Sequence, residues 1–220
     1  MFYNQSESLD RRMGTDAALL RGMKNNKKKI AVIGAGNVGG ALSRGLSLAG
    51  YEVWLVGKAK EDMVKAAKSA DVVFLAVPYG ALDDVARTIV ADVDGKTIVD
   101  VTNALTPEMS LAIGYTTSGA EELQKKLPKA HVVKAFNTQF AQHMDTGRLN
   151  SERLAVFVAA DHETAKLTTL ELAKSIGFDA IDAGPLANAR LIEPLGYLNI
   201  QLGYVLKLGT QIGLKLVRSN

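Results

Sequence analysis

Cysteine is absent from the 220 residues, which excludes disulfide scaffolds, thiolate metal sites and cysteine nucleophiles. Long apolar runs are also absent, since none reaches the roughly 18 residues that suggest a membrane-spanning helix. The first residues contain no long apolar stretch followed by a small-residue cleavage site, so no secretory signal is expected. Together these absences predict a cytoplasmic protein with no membrane partner.

The positive charge of the chain is concentrated at its N-terminus. Residues 1–29 contain seven Lys/Arg and three Asp/Glu, whereas residues 30–220 contain 19 and 20. The folded body therefore has no excess of basic residues from which a nucleic-acid-binding face could be built, and no nucleic-acid partner is expected. Residues 1–28 are polar, lack a sustained apolar period and are predicted to be a disordered N-terminal extension.

Short apolar runs alternate with helical patterns from residue 29 onward. Most runs consist of consecutive Val, Ile, Leu, Ala and Phe, which is typical of strands buried on both faces of a parallel sheet. Strand–helix alternation predicts an α/β fold with a doubly wound, mostly parallel Rossmann sheet. The predicted strands are 29–34, 52–56, 71–77, 96–101, 131–136, 154–160 and 179–183, and the predicted helices are 37–49, 60–69, 81–91, 119–127 and 162–176.

The C-terminal residues follow a different pattern. Residues 186–208 are predicted to form a long apolar helix that Pro194 kinks or divides, because proline removes a backbone donor and crowds the preceding turn. A short strand is predicted over 212–217. We therefore expect the Rossmann domain to occupy residues 29–184 and a small helical and strand extension to occupy residues 185–220.

A glycine-rich loop joins the first strand to the first helix, and it reads Gly34-Ala35-Gly36-Asn37-Val38-Gly39. In this strand–turn–helix context the G-x-G-x-x-G pattern predicts a dinucleotide-binding loop. The first glycine permits a tight turn, the second lets a pyrophosphate approach the backbone, and the third lets the helix pack on the strand. The free N–H groups and the positive dipole end of the helix then face the phosphates.

The end of the second strand indicates which dinucleotide binds. NAD-binding domains usually carry an acid about 20 residues after the loop, where it binds the ribose 2′-hydroxyl. Here Gly57, Lys58, Ala59 and Lys60 follow the strand, and the first acid is Glu61. Two lysines can neutralise a 2′-phosphate, so NADP is the predicted cofactor. The alternative is that both lysines only begin a solvated helix.

Two further strand ends are expected at the same edge of the sheet, where ligands of open α/β folds bind. Pro78 follows the third strand and would rigidify the loop near the adenosine ribose. Asn103 follows the fourth strand and would bond the nicotinamide ribose or amide. Either residue can instead be a plain turn former.

No acid, base or nucleophile stands out, so no catalytic residue is predicted. His131, His143 and His162 lack metal-ligand spacing, and no metal is expected. His131 and His162 are expected at the surface, whereas His143 is a candidate for the border of the cleft. Lys134 is interpreted as an ordinary strand side chain. A bound cofactor can carry a reaction with few protein groups, so this lack is informative.

Two longer phrases are more distinctive. The first reads Val-Val-Lys-Ala-Phe-Asn-Thr over residues 132–138, and the second reads Asp-Ala-Gly-Pro-Leu-Ala-Asn-Ala-Arg-Leu-Ile-Glu-Pro-Leu over residues 182–195. With the glycine loop they resemble the NADP oxidoreductases that depend on the deazaflavin coenzyme F420. The cytosolic domains of the six-transmembrane ferric reductases belong to the same wider family. The resemblance covers residues 29–217.

The resemblance implies an NADP-binding Rossmann domain and a C-terminal part that closes a cleft over the nicotinamide. NADPH would exchange a hydride there with a small-molecule acceptor, a flavin or coenzyme F420. The implied cofactor-binding residues are Ala35, Gly36, Asn37 and Val38 in the loop, Lys58 and Lys60 as the 2′-phosphate clamp, Ala76, Val77, Pro78 and Leu82 beside the cofactor, and Ala135, Phe136 and Asn137 on the nicotinamide side.

The acceptor is expected to bind where the two phrases meet, beyond the carboxyl ends of the strands. The turn Gly184-Pro185-Leu186 would supply the rim of this pocket next to Thr138. Arg190 would bind an anionic group of the acceptor or, alternatively, pair with Glu193 on the same helix. The apolar face of residues 195–208 fits core packing or a dimer seam, and a homodimer is predicted.

Two features depart from the family pattern. The clamp consists of lysines rather than arginines, so bidentate phosphate binding is lost and the preference for NADP is softened. The segment between the second strand and Asp71 is short, so one strand is expected to be missing. Two rival functions remain open. One is a conventional dehydrogenase or imine reductase, whose second domain is longer, and the other is a non-catalytic NADP-binding regulatory protein.

Overall fold

A seven-stranded sheet forms the centre of residues 28–219, the part of the chain that the computed structural model describes. The predicted N-terminal extension, apart from residue 28, lies outside the described residues. In spatial order the strands of this sheet are β2-β1-β3-β4-β5-β8-β9. The strands are β1 (Lys29–Ile33), β2 (Glu52–Val56), β3 (Val72–Leu75), β4 (Thr97–Asp100), β5 (His131–Lys134), β6 (Arg148–Leu149), β7 (Glu152–Arg153), β8 (Ala155–Ala160) and β9 (Asp179–Asp182), of which β6 and β7 form a separate two-stranded ribbon.

The direction of the strands changes once across the sheet. Strands β1 to β5 are parallel to one another, but β8 is antiparallel to β5, with Val133 opposite Ala160. Strand β9 is parallel to β8, so it also runs against the first five strands. We call the edge at which β1 to β5 end the carboxyl edge. Strands β8 and β9 begin near the carboxyl edge and end near the opposite, amino edge.

Helices cover both faces of the sheet and produce two apolar cores. Helices α1 and α5 pack on one face, where Leu42, Leu46 and Phe178 are buried. Helices α2, α3, α4 and α6 cover the other face, where Ile89 and Leu123 are buried. This three-layer arrangement is the expected solution for strands that are apolar on both sides. The helices are α1 (Asn37–Leu48), α2 (Lys60–Ser69), α3 (Leu82–Ile89), α4 (Gly119–Lys126), α5 (Glu163–Ile176) and α6 (Ala189–Ile200).

The predicted fold class is confirmed: the chain is an α/β protein with a doubly wound, mostly parallel Rossmann sheet. Between β2 and β3 the chain forms only α2, as the shortness of that segment predicts. Strand β2 therefore stands at the edge of the sheet, next to β1.

Three details of the fold were predicted wrongly or missed. Pro194 lies inside α6 and does not divide it, and the helix continues directly into the π-helix Gln201–Val205. Residues 212–217 form no strand. They are extended chain in which the carbonyl of Leu214 accepts one backbone hydrogen bond, of 2.8 Å, from Ala155. The short β6–β7 ribbon had no apolar alternation by which it could be recognised.

Candidate functional site

The glycine loop is shaped by contacts that only glycine permits. Gly34 has φ +116°, and a Cβ there would lie 2.2 Å from the carbonyl oxygen of Ala76. A Cβ on Gly39 would lie 1.8 Å from the carbonyl oxygen of Gly34, so the first turn of α1 packs directly on the loop. At Gly36, by contrast, a Cβ would meet no atom within 4 Å. The loop is therefore closed against the protein at two glycines and open to solvent at the third.

The open side of the loop faces a cavity of about 610 Å³ at the carboxyl edge. This volume lies within the usual range for cofactor sites, about 300–1,000 Å³. Nine of the predicted residues or their direct neighbours line it, namely Gly34, Ala35, Gly36, Gly57, Lys58, Lys60, Ala76, Val77 and Pro78. Five lining residues were missed, namely Met63, Ala81, Asp84, Val85 and Thr88, because their pattern is that of ordinary amphipathic helices.

The cavity is suited to phosphate groups at two places. Helix α1 begins at Asn37, has no side-chain cap and carries no acid in its first turn, so its first N–H groups are available to an anion. The exposed side chains of Lys58 and Lys60 lie at the other end, where β2 passes into α2. The space above Gly36 and these two ammonium groups fit a dinucleotide that carries a 2′-phosphate.

A pair of asparagines lies further along the carboxyl edge, after β4 and β5. The Asn103 amide donates to the Asn137 carbonyl oxygen at 3.0 Å, and the Asn137 amide donates to the Asn103 side-chain oxygen at 3.1 Å. The side-chain oxygens of Asn137 and Thr138 are buried and have no hydrogen-bond partner within residues 28–219. Because buried polar atoms are normally satisfied, these two oxygens would gain hydrogen bonds from a ligand, although neither atom is accessible to solvent and neither residue lines the cavity.

A buried ion cluster lies beneath the asparagine pair. The ammonium of Lys134 is 2.9 Å from Asp100 and 3.0 Å from Glu193, and it donates to the carbonyl of Thr102 at 2.6 Å. The three charged side chains are at most 1% exposed. Burial alone would lower the pKa of Lys134, but the carboxylates of Asp100 and Glu193 hold it above the usual value, so the ammonium stays charged. Interpreting Lys134 as an ordinary strand side chain was therefore wrong.

Known proteins share both the loop and the rest of this body. Residues 29–104 match the family model described as NADP oxidoreductase, coenzyme F420-dependent. The F420-dependent NADP reductase of Methanothermobacter marburgensis is 31% identical over 208 residues, which cover 79% of this chain and 92% of the relative. The chain belongs to this family. The likeness to this relative covers 79% of the chain, so the family assignment does not depend on the glycine loop alone.

Two further likenesses bear on the family. A bacterial structure from Arthrobacter sp. FB24, whose proposed identity is an F420-dependent NADP reductase, superimposes with a TM-score of 0.79 at 27% identity, over 87% of this chain and all of that one. The metalloreductase STEAP3 of Rattus norvegicus is 28% identical over 85% of this chain. This chain spans only 40% of the length of STEAP3. Within residues 28–219, no helix has the length and apolar character needed to cross a membrane.

Several residues that the family resemblance implies do not reach the cavity. Leu82 is 2% exposed and belongs to the core beneath α3, while Ala135 and Phe136 are fully buried. These three side chains therefore support the site from below and offer no surface to a cofactor. Asn37 and Val38 lie at the start of α1, next to the buried Gly39, and neither of them lines the cavity.

The turn that was expected to form the rim of the acceptor pocket lies elsewhere in the structure. Gly184 follows β9, but β9 runs against β1 to β5, and the Gly184 carbonyl accepts a hydrogen bond from Ala160, which lies opposite Val133. The turn is thus level with the middle of β5, several residues away from Asn137. The next residues continue toward the amino edge, where the backbone N–H of Leu186 donates to Asp161. Gly184, Pro185 and Leu186 therefore do not meet Thr138, and the predicted meeting of the two phrases was wrong for this turn.

Arg190 and His143 also differ from expectation. Arg190 pairs with Glu121 on α4, with two bonds of 2.6 and 2.9 Å, instead of with Glu193. The Arg190 hydrogen bond lowers the pKa of the Glu121 carboxyl. His143 is 3% exposed and contacts the Thr210 carbonyl oxygen at 3.1 Å, away from the cavity. His131 and His162 stack on each other, with ring centroids 3.5 Å apart.

Proposed function

We propose that this chain is an NADPH-dependent oxidoreductase that transfers a hydride between NADPH and a flavin-like or deazaflavin acceptor. The observation that carries the proposal is the cavity of about 610 Å³, because it brings the open Gly36 and the two lysines after β2 to one site. The family relationship supports the same function, since the named relatives are NADP reductases. The division into a Rossmann domain over 29–184 and a C-terminal part over 185–220 belongs to this proposal.

Each end of the cavity has a distinct task in binding. The uncapped first turn of α1 holds the pyrophosphate through its N–H groups and dipole, and Gly36 keeps the backbone free of side-chain atoms there. Lys58 and Lys60 neutralise the 2′-phosphate. When bound, NADPH supplies the hydride, and the protein contributes orientation.

The nicotinamide half would extend toward the asparagine pair. Sheet order places β2 and its lysines on one side of the loop and β3, β4 and β5 on the other. The unpaired oxygens of Asn137 and Thr138 can accept hydrogen bonds from an amide or hydroxyl group. The acceptor ring would stack on the nicotinamide at this end of the carboxyl edge, near α6.

A homodimer remains a prediction, and the C-terminal surface supports it. Helix α6 and the residues after it expose Leu198, Tyr204, Val205, Leu206 and Leu208, each more than half accessible. Exposed apolar clusters of this kind commonly mark protein–protein contacts. A cytoplasmic location also remains a prediction.

An acceptor screen tests the proposed function. Purified protein is mixed with NADPH and, separately, with coenzyme F420, FAD, FMN or a ferric chelate, and the loss of NADPH absorbance is followed. We expect turnover with at least one flavin-like acceptor and much slower turnover with NADH. Turnover with ferric chelate only in the presence of FAD or FMN would assign the flavin as the direct acceptor. Tight NADPH binding without turnover on any acceptor would instead support a regulatory protein.

A further inference from the structure

Helix α6 is fastened to the carboxyl edge by a carboxylate that the NADP cavity does not use. Glu193 accepts hydrogen bonds from the backbone N–H groups of Gly119 and Ala120, at 2.8 and 3.1 Å, and it also contacts the ammonium of Lys134 at 3.0 Å. We propose that Glu193 is a positioning residue for the nicotinamide half of NADPH. This inference rests on the proposed function and adds a residue that acts on one half of the cofactor only.

The position of the Glu193 carboxylate is fixed from three elements. Its N–H partners lie at the start of α4, where the helix dipole favours a negative charge. Lys134 approaches from β5 and is itself held by Asp100 at the end of β4. Since none of these partners lies on α6, the carboxylate joins α6 to the ends of β4 and β5.

One turn later, α6 lies directly against the asparagine pair. A Cβ on Gly196 would be 2.6 Å from both the Asn103 oxygen and the Asn137 amide nitrogen, so the helix backbone is in contact with the pair. The Asn137 amide also donates to the carbonyl of Ile192 at 3.1 Å. A displacement of α6 would therefore move Asn137 as well.

A second hydrogen bond joins α6 to the same loop. The Asn199 amide donates to the carbonyl of Thr138 at 3.1 Å, and both residues are almost fully buried. Helix α6 thus holds the two residues that carry the unpaired oxygens, one through its own backbone and one through Asn199. The adenosine end of the cavity has no such connection, because its lining comes from β1, β2, β3 and the helices α2 and α3.

Charge balance favours a folded Glu193→Gln variant. The cluster contains two carboxylates and one ammonium, so the substitution leaves the Lys134–Asp100 pair intact and no uncompensated buried charge, which is the usual source of instability when a buried ion pair is broken. Glutamine offers only one acceptor atom to the two N–H groups of α4 and directs a donor toward them. We therefore expect the protein to remain folded while the attachment of α6 is loosened.

The test compares two ligands by isothermal titration calorimetry. 2′,5′-ADP probes the adenosine end alone, and NADPH probes both halves. In Glu193→Gln we expect the affinity for 2′,5′-ADP to stay within about twofold and the affinity for NADPH to fall about tenfold, a change of about 1.4 kcal/mol. The matched control is Lys129→Gln, which removes an exposed ion pair with Asp94. It should change neither affinity.

Each outcome decides the inference. If Glu193→Gln does not fold, Asn199→Ala replaces it in the test and leaves the charges intact. This second variant should also keep its affinity for 2′,5′-ADP and lose affinity for NADPH. Equal losses for both ligands, or unchanged affinities in a folded variant, would overturn the positioning role. If wild-type protein binds neither ligand, the proposed function fails, and the positioning role fails with it.

Discussion

We predict that cofactor selectivity depends on two exposed ammonium groups at the end of β2, Lys58 and Lys60, which line the cavity. An exposed ion contact is worth about 1 kcal/mol or less, so we expect NADPH to bind up to about tenfold more tightly than NADH, and the preference should shrink as salt is raised. Lys58→Gln/Lys60→Gln should bind both nucleotides equally. Titrations at low and physiological salt measure this.

A matched double variant controls for total charge. Lys65→Gln/Lys68→Gln removes the same number of charges from nearby positions in α2 that do not line the cavity. It should keep the preference for NADPH. If this variant loses the preference as well, the selectivity comes from the general field of the helix and the assignment of the clamp is wrong.

Tyr79 provides a spectroscopic check on the surroundings of the cluster. Burial, together with the carboxylates of Glu193, Asp83, Asp100 and Glu122, raises the pKa of its phenol from 10.0 to about 12. Since the pKa of Tyr79 is higher in the folded protein than in the unfolded chain, its contribution to the free energy of unfolding is fully present below pH 10. This contribution is lost as the pH rises toward 12. Ultraviolet titration of the folded protein should show one late tyrosine step, and Tyr79→Phe should remove it. If Tyr79→Phe instead removes absorbance change near pH 10, the described environment of Tyr79 is contradicted.

The partners of a buried side chain could not be predicted from the sequence where they lie far away along the chain. Lys134 follows two valines in an apolar strand, and nothing near it in the sequence indicates its partners. Asp100 and Glu193 come from another strand and from a distant helix, and they meet it only because the sheet order brings β4, β5 and α6 together. The glycine loop was predictable because its whole signature, from Gly34 to Gly39, lies within six consecutive residues.

The backbone of helix α6 packs closely against the loops that follow β4 and β5. Gly196→Ala would place a methyl group 2.6 Å from both asparagines, so α6 must shift, and we expect a loss of about 1–3 kcal/mol in the free energy of unfolding. Gly40→Ala is the control within a helix. Its Cβ would meet only the end of the Arg44 side chain, at 3.7 Å, so the variant should be neutral or more stable by up to about 1 kcal/mol. Urea unfolding of both variants measures the difference, and equal stabilities would contradict the close contact.

Element boundaries followed the sequence closely where apolar runs end in polar or glycine residues. Strand β2 and helix α2 have the predicted bounds, and the remaining strands of the large sheet differ from the predicted bounds by at most two residues at either end. The predicted strand at 212–217 does not form. This segment is extended chain that packs against Leu154 and Ala155. The segment shares one backbone hydrogen bond with β8, from Ala155 to Leu214, and a single bond does not form a ladder.

The reversal of β8 and β9 determines how the whole molecule is arranged. A continuous apolar run indicates that a strand is buried but not in which direction it runs. The prediction therefore assumed that the turn after β9 lies at the carboxyl edge, whereas Gly184 is bonded to Ala160 at the level of Val133. The reversal sends α6 up the sheet from the amino edge, so that its later residues, Gly196 and Asn199, reach the nicotinamide side.

Binding of NADPH at the glycine loop is the central claim, and calorimetric titration of NADPH into wild type and Gly36→Val tests it most directly. A side chain at Gly36 would meet no protein atom within 4 Å and would extend into the space proposed for the pyrophosphate. The variant should therefore melt at the wild-type temperature and lose NADPH affinity by about a hundredfold or more, which is about 2.7 kcal/mol. Unchanged NADPH affinity in folded Gly36→Val would contradict the claim.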